Sequence, residues 1–144
     1  MVDITLKYPQ IRIAEASCLM KLSQNSSQKI HENSIQKGDV FTVAKIAGIQ
    51  AAKNTSQIIP LCHQINISHV ELNFEHNIDN NEIQINSVCK AKDATGIEME
   101  ALTACNVAAL TIYDMVKAVD QETIITDLKL VRKEKIEKIR EFAP

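Results

Sequence analysis

The stretch from Gly96 to Lys117 constrains this chain more than any other. It runs Gly96-Ile97-Glu98-Met99-Glu100-Ala101-Leu102-Thr103-Ala104 and continues to Thr111-Ile112-Tyr113-Asp114-Met115-Val116-Lys117. Small and apolar residues dominate it, and the spacing predicts one long helix over 97–119. A solvent-facing helix carries more charge and less alanine, so this helix has to bury most of its surface against another layer. The few charges set into it therefore need a reason.

The rest of the chain supplies the layer. Residues 10–22 alternate, with Ala14, Ala16, Cys18, Met20 and Leu22 on one side of a strand. Residues 23–34 are polar and suit a loop with a short helix. Asp39 follows Lys37-Gly38 and predicts the N-cap of a helix from Val40 to Lys53. Residues 65–75 alternate again (Ile65, Ile67, Val70, Leu72, Phe74), with a slip in phase at Ser68-His69 that predicts a bulge. Asp79-Asn80-Asn81 is a turn, and Ile83, Ile85, Cys89 and Ala91 share one face of the returning strand, which makes a hairpin. A last strand covers 123–131, with Ile124, Thr126, Leu128 and Leu130 in phase. Residues 132–144 read as a charged tail, helical or loose. The order β-α-β-β-α-β predicts an α+β, ferredoxin-like sandwich: an antiparallel sheet with two helices on one face. The uncovered face keeps residues such as Val88, which suits a subunit contact.

Length and composition narrow the function classes. With 144 residues the chain is expected to form one domain, 1–144, large enough to hide roughly 68–70% of its unfolded surface. Aromatic content is 3% with no Trp, which excludes base-stacking platforms. The net charge of −2 argues against bulk binding of nucleic acid while leaving room for a local basic pocket. No apolar run approaches the roughly 18 residues of a membrane span, and no signal peptide is visible. Cys18, Cys62, Cys89 and Cys105 form no CxxC pair, so reduced thiols and a cytoplasmic location are expected.

Counted at 100° per residue from Glu100, the polar residues Thr103, Asn106, Thr111, Asp114 and Lys117 fall on one stripe of the long helix, with Glu98 nearly opposite Glu100. A solvated stripe with an Asp114–Lys117 i,i+3 pair is the bland reading. A functional reading carries a geometric consequence. Glu100 and Asp114 are 14 residues apart, about 21 Å along the axis at ~1.5 Å per residue. One compact site cannot hold both from the same helix. Either they serve separate sites, or a site between subunits draws on both ends.

Other candidates are weighed in the same way. His63, after Pro60-Leu61-Cys62, suits an acid/base or hydrogen-bonding role by its pKa near neutral, although an isolated His is more often a surface or packing residue. Metal ligation is disfavoured by spacing, and no metal site is expected. Lys37, Lys45 and Lys53 cannot meet one phosphate. Lys37, beside Gly38 and a helix start, is the best placed for an anion, and the other two read as solvated. By residue type Cys62 and Cys105 suit packing, and Met99 suits a core or an interface.

Met1-Val2-Asp3-Ile4, Lys37-Gly38-Asp39-Val40, Ile46-Ala47-Gly48-Ile49, Ala51-Ala52-Lys53, Ile59-Pro60-Leu61-Cys62-His63, Thr95 to Thr103 and Ala108 to Asp120 together resemble the cyclic pyranopterin monophosphate synthase (MoaC) family of molybdenum-cofactor biosynthesis. The resemblance runs from residue 1 to about 131. It implies a lyase that converts 3',8-cyclo-7,8-dihydroguanosine triphosphate to cyclic pyranopterin monophosphate and pyrophosphate. It also implies a ferredoxin-like homohexamer, a trimer of dimers with active sites between subunits. Asp114 and Lys117 match the family's acid/base pair. Lys37, Cys62, His63, Glu98, Met99, Glu100 and Arg12 match substrate-contacting positions, and Lys133 matches a lysine on a mobile C-terminal loop. No resident cofactor is implied, though Mg²⁺ could accompany the triphosphate or pyrophosphate.

The chain departs from the family at Lys45 and Asn54, where arginines are usual, and at Gln64, where proline is usual. Asp93-Ala94 replaces a loop that carries a lysine, and Arg132-Lys133-Glu134-Lys135-Ile136 replaces a glycine-rich, lysine-bearing tail. The last two changes bear on phosphate handling more than on reaction type. They also frame the rival expectation, a catalytically weak paralogue kept as an oligomeric binding or assembly module.

Overall fold

The structure, a computed structural model, describes residues 1–137. Eight elements follow in order: β1 (Gln10–Lys21), α1 (Gln24–His31), α2 (Val40–Lys53), α3 (Thr55–Ile58), β2 (Ile67–Asn77), β3 (Glu82–Asp93), α4 (Glu98–Val116) and β4 (Ile124–Ile136). The four strands form one sheet in the order β2-β3-β1-β4. Every neighbouring pair is antiparallel. With α2 and α4 packed on one face, this is the expected ferredoxin-like sandwich, to which the short helices α1 and α3 are additions.

Local chemistry sets the elements. The Asp39 carboxylate accepts a hydrogen bond from the Thr42 backbone N–H at 2.9 Å and caps α2, satisfying one of the donors a helix start leaves open. The phase slip in β2 is a register shift between Ile67 and His69. Alternation in β3 is strict: Ile83, Ile85, Ser87, Cys89 and Ala91 are buried, and the side chains between them face the other way. Ser87 lies among apolar groups because its hydroxyl donates to the Ala101 carbonyl at 2.6 Å, which ties β3 to α4.

The core lies between the sheet and α4. Ala14, Ala16, Cys18 and Met20 of β1 meet Ala101, Ala104, Cys105, Ala108, Ala109, Ile112 and Val116 of α4, all essentially inaccessible. Each large aliphatic side chain buried this way contributes roughly 1.5–3 kcal/mol, while the alanines let backbones approach. The closest approach is at Gly48 in α2. A Cβ there would stand 2.9 Å from the Ala104 carbonyl oxygen and closer still to Leu72.

Two expectations are corrected at the C-terminal side. The long helix ends at Val116, with Lys117 as its C-cap, and not at 119. The last strand does not stop at 131 but runs through Ile136, because β1 offers its whole length as a pairing edge, from Lys21↔Ile124 to Ile11↔Ile136. Arg132, Lys133 and Lys135 are therefore strand residues, and only 138–144 of the expected tail lie outside the described residues. The phase of β4 is also not continuous. Register shifts fall between Glu15 and Ala16 and between Ser17 and Leu19, and Asp127 takes a left-handed φ of 56°. Each shift adds a residue to β4, so Leu130 pairs with core-facing Ala16 whereas Thr126 pairs with Leu19 on the open face.

Candidate active site

Site residues gather at the two ends of α4. At its C-terminal end, Asp114 holds two lysines. Lys37 Nζ lies 2.7 Å from one carboxylate oxygen and Lys117 Nζ 3.0 Å from the other. Lys37 also donates to the Asp114 backbone carbonyl at 3.2 Å, a favourable place for a cation at a helix C-terminus. The Lys37 hydrogen bond, then that of Lys117, holds the Asp114 carboxyl below the usual carboxylate range. All three side chains are about half exposed. Exposed ion pairs contribute little stability, so packing does not account for two cations converging on one carboxylate.

At the N-terminal end, Cys62, His63, Glu98, Met99 and Glu100 surround a cavity of about 310 Å³. Glu98 and Glu100 point apart on the helical wheel, yet both reach this cavity because it sits at the tip of the helix and not along its side. Glu100 is 3% exposed and is the residue at which a solvated stripe fails. Burial pushes its carboxyl up to about 7, with the charges of Glu98 and Asp93 adding to the rise. Half-burial opposes the Glu98 charge as well, but the Lys133 hydrogen bond and the charges of Lys133 and Arg12 outweigh it and hold this carboxyl below its ordinary range. Two carboxyls two residues apart are thus driven in opposite directions, an arrangement suited to proton transfer.

Arg12 and Lys133 join this end. Lys133 Nζ bonds Glu98 at 2.8 Å, from a strand and not from the loop expected of it. Arg12 donates to the carbonyls of Asp93 and Ala94 at 3.4 and 3.2 Å and so fixes the turn ahead of Gly96. A Cβ at Gly96 would meet the Glu98 carboxylate, so a larger residue there has to displace that side chain. Cys62 is not core packing; it lines the cavity half-buried, and burial raises its thiol pKa. Cys105 is packing, fully buried with its thiol 3.3 Å from that of Cys18. Lys45 and Lys53 are solvent-exposed.

Periodicity and spacing could not assign site roles to the N-terminal segment. Val2, Ile4 and Lys7 wall the same cavity. Thr5 binds the Asp3 carboxylate through its hydroxyl at 2.6 Å and its N–H at 2.9 Å, and these bonds hold the Asp3 carboxyl below its ordinary range. This segment lies outside every helix and strand, so no repeat marks it.

Residues 1–135 match the MoaC family. The chain belongs to that family. Among its curated relatives is the cyclic pyranopterin monophosphate synthase of Clostridium acetobutylicum, 50% identical over 133 residues, which cover 92% of this chain and 83% of the relative. The matched span takes in both ends of α4, the cavity and the strand that carries Lys133. The ten site residues that the resemblance implies fall into two clusters inside the family match: Lys37, Asp114 and Lys117 in one, the other seven in or against the cavity.

Proposed function

We propose that this MoaC-family chain is a lyase of molybdenum-cofactor biosynthesis, converting 3',8-cyclo-7,8-dihydroguanosine triphosphate to cyclic pyranopterin monophosphate with release of pyrophosphate. The observation that carries it is the family match over residues 1–135, together with 50% identity to a relative named for that synthase. The geometry supports it. Opening a purine ring, rebuilding a pterin and closing a cyclic phosphate require repeated proton transfers. Asp114 between Lys37 and Lys117 is a carboxylate–amine cluster suited to relay protons. Glu98, Met99, Glu100, Cys62 and His63 form the walls that would hold the ring system. Arg12 and Lys133 bring positive charge to the end of that pocket, where departing pyrophosphate builds negative charge. Mg²⁺ would arrive with the triphosphate as part of the substrate, and no resident cofactor is needed for this assignment.

The complete site forms between subunits of a homohexamer arranged as a trimer of dimers. The two clusters stand about 21 Å apart along one helix (at ~1.5 Å per residue), too far for one substrate to meet both in a single chain. Apolar side chains exposed on α2, α4 and β4, including Val43, Ile46, Leu110, Ile124 and Val131, supply surface for such contacts. No helix among the described residues is long and apolar enough to cross a membrane, and the four cysteines are free thiols; both support a cytoplasmic place for the reaction.

The test is direct. Purified protein given the cyclised GTP substrate releases pyrophosphate, and Asp114→Asn abolishes the release while the oligomer persists. A folded oligomer that releases none above blank returns the chain to the rival role of a binding or assembly module.

A further inference from the structure

Two stretches of chain supply most of the wall of the cavity at the N-terminal end of α4. One is the connection ahead of β2, which brings Cys62, His63 and Ile65. The other is the turn after β3 with the helix start, which brings Gly96, Glu98 and Glu100. Backbone pairing does not hold these two walls together. The β2–β3 ladder ends at Ile67↔Ala91, where the connection begins.

Beyond that point the Asp93 carboxylate takes the place of a ladder carbonyl. Oδ2 accepts from the Asn66 backbone N–H at 3.3 Å, and Oδ1 accepts from the Ala94 N–H at 2.7 Å. The first bond reaches across to the connection. The second holds the side chain against its own turn. Among the described residues, the Asp93–Asn66 bond is the one hydrogen bond that joins the two walls. Its acceptor is an ionisable carboxylate, which binds an N–H more strongly than a neutral carbonyl does. On the other flank of β3 lies β1, and from there Arg12 donates to the carbonyls of Asp93 and Ala94. The turn is thus held from both sides, through its carbonyls to β1 and through the carboxylate to the connection.

We infer that Asp93 is a positioning residue of the reaction: its carboxylate locks the His63-bearing connection to the Gly96 turn and so sets the gap between His63 and Glu100 across the cavity. Asp93 is not among the residues that line the cavity, so it acts through the walls it joins. Proton transfer needs its partners within hydrogen-bond reach, and a misplacement of about 1 Å costs on the order of 100-fold in rate. The role in turnover rests on the synthase reading, whereas the lock itself does not.

Cys62 supplies a probe that needs no turnover. It lines the cavity from the connection, and the other three cysteines are buried. Brief iodoacetamide treatment of the native full-length oligomer, read by peptide mass spectrometry, therefore reports on the connection. Asp93→Ala is expected to speed Cys62 labelling by about threefold or more and to lower kcat about tenfold, with KM moving by less than about threefold. Asn66→Pro removes the donor and leaves the carboxylate in place, so it produces the same changes and serves if Asp93→Ala does not fold. The double variant is no worse than either single one, because both remove the same bond. Folded variants that label as wild type does, or a double variant whose losses add, overturn the lock. Faster labelling with wild-type kcat overturns the positioning role. Labelling that depends on Asp93 in a protein whose wild type shows no turnover keeps the lock and removes the synthase reading instead.

Discussion

Glu100 is a carboxyl whose surroundings decide its chemistry. Its place in the first turn of α4 favours negative charge through the helix dipole, but burial outweighs this and pushes its carboxyl up to about 7. The folded-state value lies above the ordinary 4.5. The protonated form is therefore favoured by folding, and this contribution to stability is complete below about 4.5 and lost as pH rises through about 7. Glu100→Gln cannot ionise. Its thermal midpoint should exceed that of wild type at pH 8 and lose most of that advantage at pH 4. If protonated Glu100 acts as an acid in turnover, the variant should also lose roughly 100-fold in kcat together with the limb of the pH–rate profile near 7. A variant with the wild-type profile would remove Glu100 from the proton transfers. Burial was not legible from the helical wheel, which placed Glu100 on a polar stripe. The wheel fails here because the cavity that Glu100 lines is walled by Val2, Ile4, Cys62 and His63, from segments distant in sequence.

Helices and strands were the most legible level. The Asp39 cap, the bulge near Ser68-His69 and the alternation of β3 follow from local rules, since capping, pleat and turn chemistry act over a few residues. β4 was the exception. Its left-handed Asp127 and two register shifts answer to the fixed edge of β1, so alternation within β4 could not locate its faces or its end. Packing of α2 on α4 belongs at this level too. Gly48→Ala forces a methyl against the Ala104 carbonyl and Leu72 and should cost about 1–3 kcal/mol in urea denaturation. The same exchange at an open helix position would stabilise by up to about 1 kcal/mol. A neutral or stabilising result would show that α2 can move off α4 without loss.

For the whole molecule, one helix carries two half-sites that a single substrate cannot span. Mixing subunits tests the consequence. Asp114→Asn and Glu100→Gln each impair turnover alone. After dissociation and joint reassembly, about a quarter of the shared sites would combine one intact end from each parent, and activity should recover to about that fraction of wild type. Recovery no greater than the sum of the separate variants would place each site within one subunit. The sequence by itself determined the order of elements, the apolar faces of the first three strands, the cap of α2 and the family, because periodicity and short-range backbone chemistry are written locally. Only the tertiary structure decided that Lys37 joins Lys117 on Asp114, that Glu100 is buried while Glu98 is bridged to Lys133, and that Asp93 reaches Asn66. Those meetings depend on how distant segments cross, and no spacing along the chain encodes a distance between side chains that long loops and strand pairing bring together.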